Sequence, residues 1–248
     1  ITYLDNKLSE ISHQVSLLTS KRDAYLRLKK SIINHAVTHG LNPNVKMKDS
    51  GIDWIGEVPE HWEVKRMKDI AKLMKGRTPE ELTFEEISYP YLTMDYLRNR
   101  PGKEIMYPQK TVGLLKVDAS EILVLWDGAN AGEFILSKEG YLGSTMAVFS
   151  CDCKMINKNY LYYLLKSIEE HSKYFANGTT IPHFDCLTIM NHQYAIPPLP
   201  EQHAIATYLD AKCAKIDTIV SNLDKQISRY TDLKRALIDE VITGKRAV

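Results

Sequence analysis

The chain has 248 residues, of which 44% are hydrophobic and 25% are charged, with a net charge of +1. A chain of this length can bury a substantial core, and its charge balance excludes a protein coated with positive charge. No apolar run approaches the ~18 residues that span a bilayer, and no signal peptide is visible. With four cysteines in a chain of this size, we expect a reduced, cytoplasmic setting and no membrane partner. Because the chain begins with Ile1, we expect a fragment or a processed form.

The first and last segments of the chain repeat each other. The stretch that begins with "TYLD" at Thr2 returns at Thr207, and the two copies align without a gap at a constant offset of 205 residues. They agree at many later positions, including Leu28/Leu233 and Lys29/Lys234. A shared register over this length predicts two copies of one structural element.

Both copies carry a heptad pattern that predicts long helices. The apolar positions of the first copy are Leu4, Leu8, Ile11, Val15, Leu18, Tyr25 and Ile32, broken at Arg22 and Lys29. Those of the second copy are Leu209, Cys213, Ile216, Val220, Leu223, Ile227, Tyr230, Leu237 and Val241, broken at Lys234. A 3.5-residue repeat forms a narrow seam, so we predict two helices that pair as an antiparallel coiled coil. Gly40 and Gly244 stand where helix ends are expected.

Between the helices we predict a globular body rich in short strands. Strand-like runs bounded by Gly, Asn, Asp or Pro lie within residues 121–128, 134–138, 145–152 and 191–198, and a helix begins after a capping residue, Asn157. The predicted fold class is therefore α/β. We expect a spacer helix over 1–40, a recognition domain over 41–199 and a second spacer helix over 200–248.

The chain lacks the motifs of common catalytic sites. There is no GxxxxGK[ST] or GxGxxG phosphate loop, and "WDGANAG" (126–132) has no helix pattern after it, so we interpret it as a turn. "IPPLP" lacks the polar and aromatic ends of the adenine-methyltransferase motif. Cys151, Cys153, His183 and Cys186 offer soft ligands, but the CxxC spacing of zinc sites is absent. We predict no catalytic residue and no metal site.

Basic and polar residues cluster on predicted loops of the body. Arg and Asn side chains read base edges, and Lys or Thr side chains suit phosphates. The candidate DNA-binding residues are Lys75, Arg77, Thr78, Arg98, Asn99, Arg100, Lys103, Asn130, Lys173, Thr179 and Thr180. Thr179 and Thr180 lie in "ANGTTIPHFD" (176–185), which we interpret as a framing loop that touches phosphate or braces the domain.

Four stretches resemble the specificity subunit of Type I restriction-modification systems. They are "GLNPNVKMKDSGIDWIGEVPEHWEVKRMK" from Gly40, "GTTIPHFD" from Gly178, "IPPLPEQHAIATYLDAKCAKID" from Ile196 and "LKRALIDEVITGK" from Leu233. The resemblance covers essentially the whole chain except 82–170, and it corresponds to a half-subunit with one target-recognition domain.

The resemblance implies a mechanism and a set of partners. The recognition domain would bind one half of a split double-stranded DNA target, and the helix pair would dock a methyltransferase subunit that carries S-adenosylmethionine. A restriction subunit would join the full complex, and this chain would need no cofactor of its own. The DNA sequence and the gap length do not follow from the resemblance.

We predict that the methyltransferase docks on the exposed apolar faces of the two helices outside the seam, together with the linker at Trp54 and Trp62. The candidate partner-binding residues are Leu17, Leu26, Trp54, Trp62, Ile219 and Ile238. Because the helix copies are equivalent, we also expect a homodimer through the helices, reading an inverted repeat. Two alternatives stay open: a stand-alone adenine-methyltransferase fragment, and a coiled-coil adaptor that binds only protein.

Overall fold

The structure, a computed structural model, describes residues 2–52, 55–174 and 182–243. The chain divides into two compact units, one formed by Ile1–His35 with Thr207–Val248 and the other by Ala36–Ala206. We call them the helical unit and the body. Because this division rests on contacts alone, the functional assignment of 1–40, 41–199 and 200–248 remains a prediction.

Two long helices, α1 (Thr2–His39) and α7 (Leu199–Ile242), supply the helical unit. Every residue of both predicted seams is buried or half-buried, so the heptad prediction is confirmed. As the position along α1 falls from 29 through 22 to 12, its partner in α7 rises from 217 through 224 to 234. The helices are therefore antiparallel, and their seams face each other within one chain.

The helix end predicted at Gly40 is also confirmed. α1 stops at His39, and Gly40 follows with a φ of +74°, in the left-handed region that glycine adopts without strain. Its amide donates to the Ala36 carbonyl oxygen at 3.1 Å. The second predicted end, Gly244, lies outside the described residues.

Polar side chains fill the places where the seam is interrupted. The Lys29 ammonium donates to both carboxylate oxygens of Asp217, at 2.6 and 2.8 Å. Lys234, which the repeat makes equivalent to Lys29, donates to the hydroxyl of Ser12 at 2.9 Å, and Ser12 is the repeat equivalent of Asp217. The two contacts are thus related by the same pseudo-two-fold symmetry that relates the helix copies. Polar residues at seam positions specify register and orientation at some cost in stability.

The body is built from thirteen short strands and five short helices among the described residues. Its first half contains β1 (Met47–Asp49), β2 (Glu57–Pro59), β3 (Glu63–Arg66), α2 (Met67–Ile70), β4 (Ala71–Lys75), β5 (Leu82–Thr83), β6 (Tyr91–Leu92), α3 (Met94–Leu97), β7 (Tyr107–Pro108) and β8 (Lys116–Val117). Its second half contains β9 (Ile122–Leu125), β10 (Phe134–Leu136), β11 (Gly140–Leu142), β12 (Met146–Cys151), α4 (Lys158–Ser167), α5 (Glu169–Tyr174), α6 (Cys186–Asn191) and β13 (Gln193–Ile196).

The largest sheet is antiparallel, with the strand order β10-β9-β12-β4. Its central strand β9 is buried along its whole length, which explains the uninterrupted apolar run "ILVL". A second sheet has the order β6-β11-β8, and three two-stranded pairs complete the body: β1-β2, β3-β13 and β5-β7. The mixed α/β fold class is confirmed.

The helices of the body pack against these sheets through their apolar faces. Asn157 caps α4, as predicted, because its side chain accepts a hydrogen bond from the Tyr160 amide. Leu161, Leu164 and Leu165 are buried at helical spacing. The strand expected over 145–152 is shorter than its pattern, since β12 ends at Cys151 and Cys153 is exposed in the turn beyond it.

Candidate nucleic-acid interface

A turn at the end of β9, residues 126–133, is the meeting point of the body's exposed polar segments, and we call it the hub loop. The prediction that "WDGANAG" forms a turn is confirmed. Gly132 has a φ of +85°, and a Cβ there would lie 2.8–2.9 Å from atoms of Ser172 in α5. Only glycine fits this close approach, which holds the hub loop against the helix.

The described end of the framing loop, residues 182–185, pairs with the hub loop. Asp127 and His183 form an antiparallel β-bridge, the Gly128 amide donates to the Pro182 carbonyl at 3.0 Å, and the Phe184 amide donates to the Trp126 carbonyl at 2.8 Å. The His183 Nδ1 atom lies 2.5 Å from Asp127 Oδ1. Backbone and side chain together therefore fix the imidazole, although 58% of the His183 side chain is exposed.

Asp185 anchors the same segment from its other side. Its carboxylate accepts the Thr188 amide at 3.0 Å and the Thr188 hydroxyl at 2.6 Å, which caps α6. The hydroxyl contact, followed by the backbone contact, lowers the pKa of Asp185 below its ordinary value.

Lys75, the last residue of β4 and the first predicted DNA contact, packs against the hub loop. Its ammonium is 3.4 Å from Asp127 Oδ2 and 4.7 Å from the centroid of the Trp126 ring. The Trp126 ring also contacts the buried ring of Phe184 edge-to-face, at a centroid distance of 5.7 Å. Asp127 thus lies between Lys75 and His183, and its carboxylate contacts both side chains.

The "GRTP" turn carries Arg77 and Thr78 past the end of β4. A Cβ on Gly76 would lie 2.3 Å from the carbonyl oxygens of Leu142 and Gly143, so the turn lies directly against the β11–β12 connection. The Thr78 hydroxyl is 2.7 Å from the Ser144 hydroxyl. Arg77 is exposed and has no ion pair within the described part of the chain. Of the predicted cations, it is the one most available to an added anion.

The second predicted cluster, around Arg98, is held by acidic neighbours. Arg98 donates to Glu133 of the hub loop at 2.6 Å. Arg100 and Lys103 pair with Asp95, at 2.8 and 3.8 Å. Asn99 has a φ of +49°, and its side-chain oxygen accepts from Lys138 at 2.6 Å. The structure therefore brings this cluster to the hub loop, but it compensates the charges that were predicted to face DNA.

Of the remaining predicted DNA contacts, two are exposed and two lie outside the described residues. Asn130 is exposed in the hub loop, and Lys173 is exposed on α5, where it pairs with Glu169 at 3.1 Å. Thr179 and Thr180 lie outside the described residues.

Sequence reasoning missed two members of this surface, Asp127 and His183. Asp127 lies in the predicted turn, His183 was considered only as a soft metal ligand in the framing loop, and 56 positions separate them. The only signal in the sequence was that both lie in Gly- or Pro-bounded loops after apolar runs.

The predicted partner-binding residues are only partly accessible. In the helical unit, Leu17 and Leu26 are exposed, and Ile219 and Ile238 are half-buried. Trp62 corrects the prediction: it is 1% exposed in the body, and its indole donates to Glu201 at 3.1 Å, so it is a core residue. Trp54 lies outside the described residues.

Across residues 2–52, 55–174 and 182–243, no group of three or more His, Cys, Asp or Glu side chains is arranged to hold a metal ion. None of the helices in those ranges is long and apolar enough to cross a membrane.

Comparison with known proteins identifies the family. Residues 59–229, well over half of the chain, match the family described as "Type I restriction modification DNA specificity domain". The chain belongs to this family. One relative, the Type I restriction enzyme MjaVIII specificity subunit of Methanocaldococcus jannaschii, is 37% identical over 188 residues, which cover 75% of this chain and 43% of that protein. The putative MjaX specificity subunit of the same organism is 23% identical over 246 residues, 97% of this chain and 54% of that protein.

Solved structures of the specificity-subunit family share the fold. The HsdS subunit from Thermoanaerobacter tengcongensis superposes with a TM-score of 0.62 at 14% identity, over 96% of this chain and 56% of that one. A chain from a structure that describes complex assembly and conformational transition of the type I R-M system gives a TM-score of 0.72 at 14% identity, over 96% and 57%. The chain thus spans about half the length of the specificity subunits it matches.

Proposed function

We propose that this specificity-family chain reads one half of a bipartite DNA target with its body and docks a methyltransferase subunit with its helical unit. The observation that carries the DNA-reading part is the surface around the hub loop, where Lys75 and His183, from segments distant in sequence, both contact Asp127. Asn130 is exposed in the same loop, and Arg77 is exposed two residues beyond Lys75. Side chains that read DNA have to be held within a fraction of an ångström of their targets. The hydrogen bonds between these segments supply that rigidity.

The proposal of a half-target rests on the size of the chain. One body is present, and the curated relatives are about twice as long. The chain itself would perform no catalysis, whereas S-adenosylmethionine would bind the methyltransferase and a restriction subunit would complete the assembly.

A DNA-binding experiment with the chain and its cognate methyltransferase subunit tests the first part. The complex should select one sequence from a random duplex pool, and Arg77→Ala should weaken its binding evenly across sequences and lower the salt dependence by about one ion, as the loss of a phosphate contact does. Glu139, in contrast, lies on the β8–β11 side, paired with Lys116 at 2.8 Å, and Glu139→Ala is a control that should leave both quantities unchanged. Failure of the wild-type complex to select any sequence would refute the DNA-reading part.

Co-purification tests the docking part. Leu17, Leu26 and Leu28 are all exposed on α1, by 51%, 39% and 46%, and several large apolar side chains left in solvent support a surface that a partner covers. Leu17→Asp together with Ile219→Asp should abolish co-purification with the methyltransferase, while Arg77→Ala should retain it. The reverse pattern would contradict the assignment.

We further propose that two chains associate through the helical unit and read an inverted repeat. The support is the equivalence of the two helix copies, which a two-fold axis between chains would preserve. Because the seams already pair within one chain, the dimer would form either through the outward faces or by exchange of helices between chains. Sedimentation of the purified chain should show a dimer at micromolar concentration, and a strict monomer would refute this step.

A further inference from the structure

The imidazole of His183 presents one defined nitrogen to the outside of the body. An ionised carboxylate accepts hydrogen bonds and cannot donate them, so the nitrogen that faces Asp127 Oδ1 at 2.5 Å has to carry the proton. This leaves Nε2 as the nitrogen without a proton in the neutral ring. The side chain is 58% exposed, and Nε2 is the ring nitrogen that does not contact Asp127, so it is the one available to an added partner.

The main chain that carries the ring is held on both sides, and one hydrogen bond to Asp127 orients the ring itself. The backbone bridge between Asp127 and His183 holds the main chain, and the carboxylate holds Nδ1. Phe184, the next residue, is 4% exposed and lies edge-on to Trp126 and to Phe134, at 5.7 and 6.3 Å between centroids. Fixed rings with a fixed tautomer are what discrimination between hydrogen-bond partners requires.

Lys75, which shares Asp127 with His183, is a donor, whereas Nε2 is an acceptor. Lys75 and Arg77 offer only N–H groups, which suit phosphate oxygens and the O6 and N7 acceptors of guanine. In the major groove, the donors are the exocyclic amino groups of adenine and cytosine. An oriented acceptor on the surface that carries these cations therefore complements an amino group next to phosphate.

We propose that His183, positioned by Asp127, is a specificity-determining residue that accepts a hydrogen bond from the exocyclic amino group of adenine or cytosine at one position of the target. This inference rests on the proposed DNA-reading function. It assigns base readout to the segment that sequence reasoning interpreted as a frame, and it gives Asp127 the role of a positioning residue.

Selection from a random duplex pool by the chain–methyltransferase complex tests the assignment. At one position the wild type should require adenine or cytosine on the strand that His183 faces. His183→Ala should accept any base at that position, leave the other positions unchanged and bind the wild-type target roughly 5- to 150-fold more weakly, the range for one lost base contact. His183→Lys, which replaces the acceptor with donors, should shift the preference at that position to guanine.

A second histidine–carboxylate pair provides a matched control. His61 Nε2 lies 2.7 Å from Glu201 Oε2, with 47% of the His61 side chain exposed, beside the buried Trp62 rather than the hub loop. His61→Ala should leave the selected sequence and the affinity unchanged. Asp127→Ala should relax the same single position as His183→Ala.

Three results would overturn the assignment while the wild type still selects a sequence. An unchanged motif in His183→Ala would show that the ring reads no base. An even loss of affinity with a salt dependence lower by about one would identify a phosphate contact of a protonated ring. Relaxation at every position, together with a lower melting temperature, would identify a structural brace. If the wild type selects no sequence, the proposed function fails instead.

Discussion

Replacing Lys29 by leucine should stabilise the helical unit although it removes an ion pair. The Lys29 side chain is 27% exposed at a seam position, whereas Asp217 is 54% exposed. A pair this close to solvent contributes about 0.2–1 kcal/mol. Burial of a leucine side chain at this half-buried seam position would stabilise the helical unit by about 1–2 kcal/mol. Lysine and leucine have similar helix propensities, so the change in propensity adds little. The expected net gain is about 0.5–1 kcal/mol.

Hydrogen exchange of the full chain measures this change locally. When the helices close faster than an open amide exchanges, the exchange rate reports the opening free energy, and a gain of about 0.5–1 kcal/mol slows exchange of the amides around Lys29 about 2- to 5-fold. Lys29→Ala should accelerate exchange instead, because it loses both the ion pair and the packing of the aliphatic stem. Lys234→Leu should give a larger gain than Lys29→Leu, since only the Ser12 hydroxyl is lost.

An exposed lysine of the same helix gives the control. Lys21 lies outside the seam, and Lys21→Leu should change exchange little. If Lys29→Leu accelerates exchange as much as Lys29→Ala does, Lys29 is not a seam residue and the register deduced from its contact with Asp217 is wrong.

Three further predictions concern the body. Gly76→Ala should cost about 1–3 kcal/mol in the free energy of unfolding, as an overpacked site does, because the new Cβ would meet backbone atoms at 2.3 Å. Gly102, at a φ of +74°, has open space around it, so Gly102→Ala should cost only about 1 kcal/mol. Equal losses of the two variants in urea titrations would contradict the close approach at Gly76. Phe184→Ala should cost about 3–5 kcal/mol and Phe184→Leu clearly less, since the ring is 4% exposed; equal, small shifts of the melting temperature would show that it is not a core residue.

The stability that the α6 cap contributes should also depend on pH. At pH 7, Asp185→Ala should cost about 1 kcal/mol, the usual value of an N-cap, while Asp185→Asn should cost little. The folded-state pKa of Asp185 is lowered, so its contribution is present above the ordinary value near 3.8 and is lost as pH falls through the folded value. The difference between wild type and Asp185→Asn in unfolding titrations should therefore be constant above pH 5 and change below pH 4; no change would contradict the cap.

The helical unit could be predicted from the sequence, whereas the arrangement of the hub loop could not. A heptad repeat is local, and residues such as Ile11 and Ile216 have only one face to bury. The strand runs were also visible, since β9 is apolar along its length and β12 begins with four apolar, buried residues. Strand order and loop contacts are non-local, and no pattern within either segment predicts that Asp127 meets His183.

Charge alone also gave an incomplete account of the surface. Arg98 and Arg100 stood out as cations on a loop, but Glu133 and Asp95 compensate them in space. Arg77 looked no different in the sequence and is exposed without an ion pair in the described ranges. Trp62, an aromatic residue in a segment with prolines, is buried, and its indole N–H donates a hydrogen bond to Glu201 in the N-terminal turn of α7.

Sequencing of methylated bases tests the central claim most directly. Cells that carry the cognate methyltransferase should be compared with no specificity chain, with the wild-type chain and with the Arg77→Ala, His183→Ala double variant. We predict no methylated motif without the chain, one bipartite motif with the wild type, and a motif degenerate at the His183 position or weakly methylated with the double variant. A motif that is the same in all three strains would contradict the claim that this chain reads the DNA target.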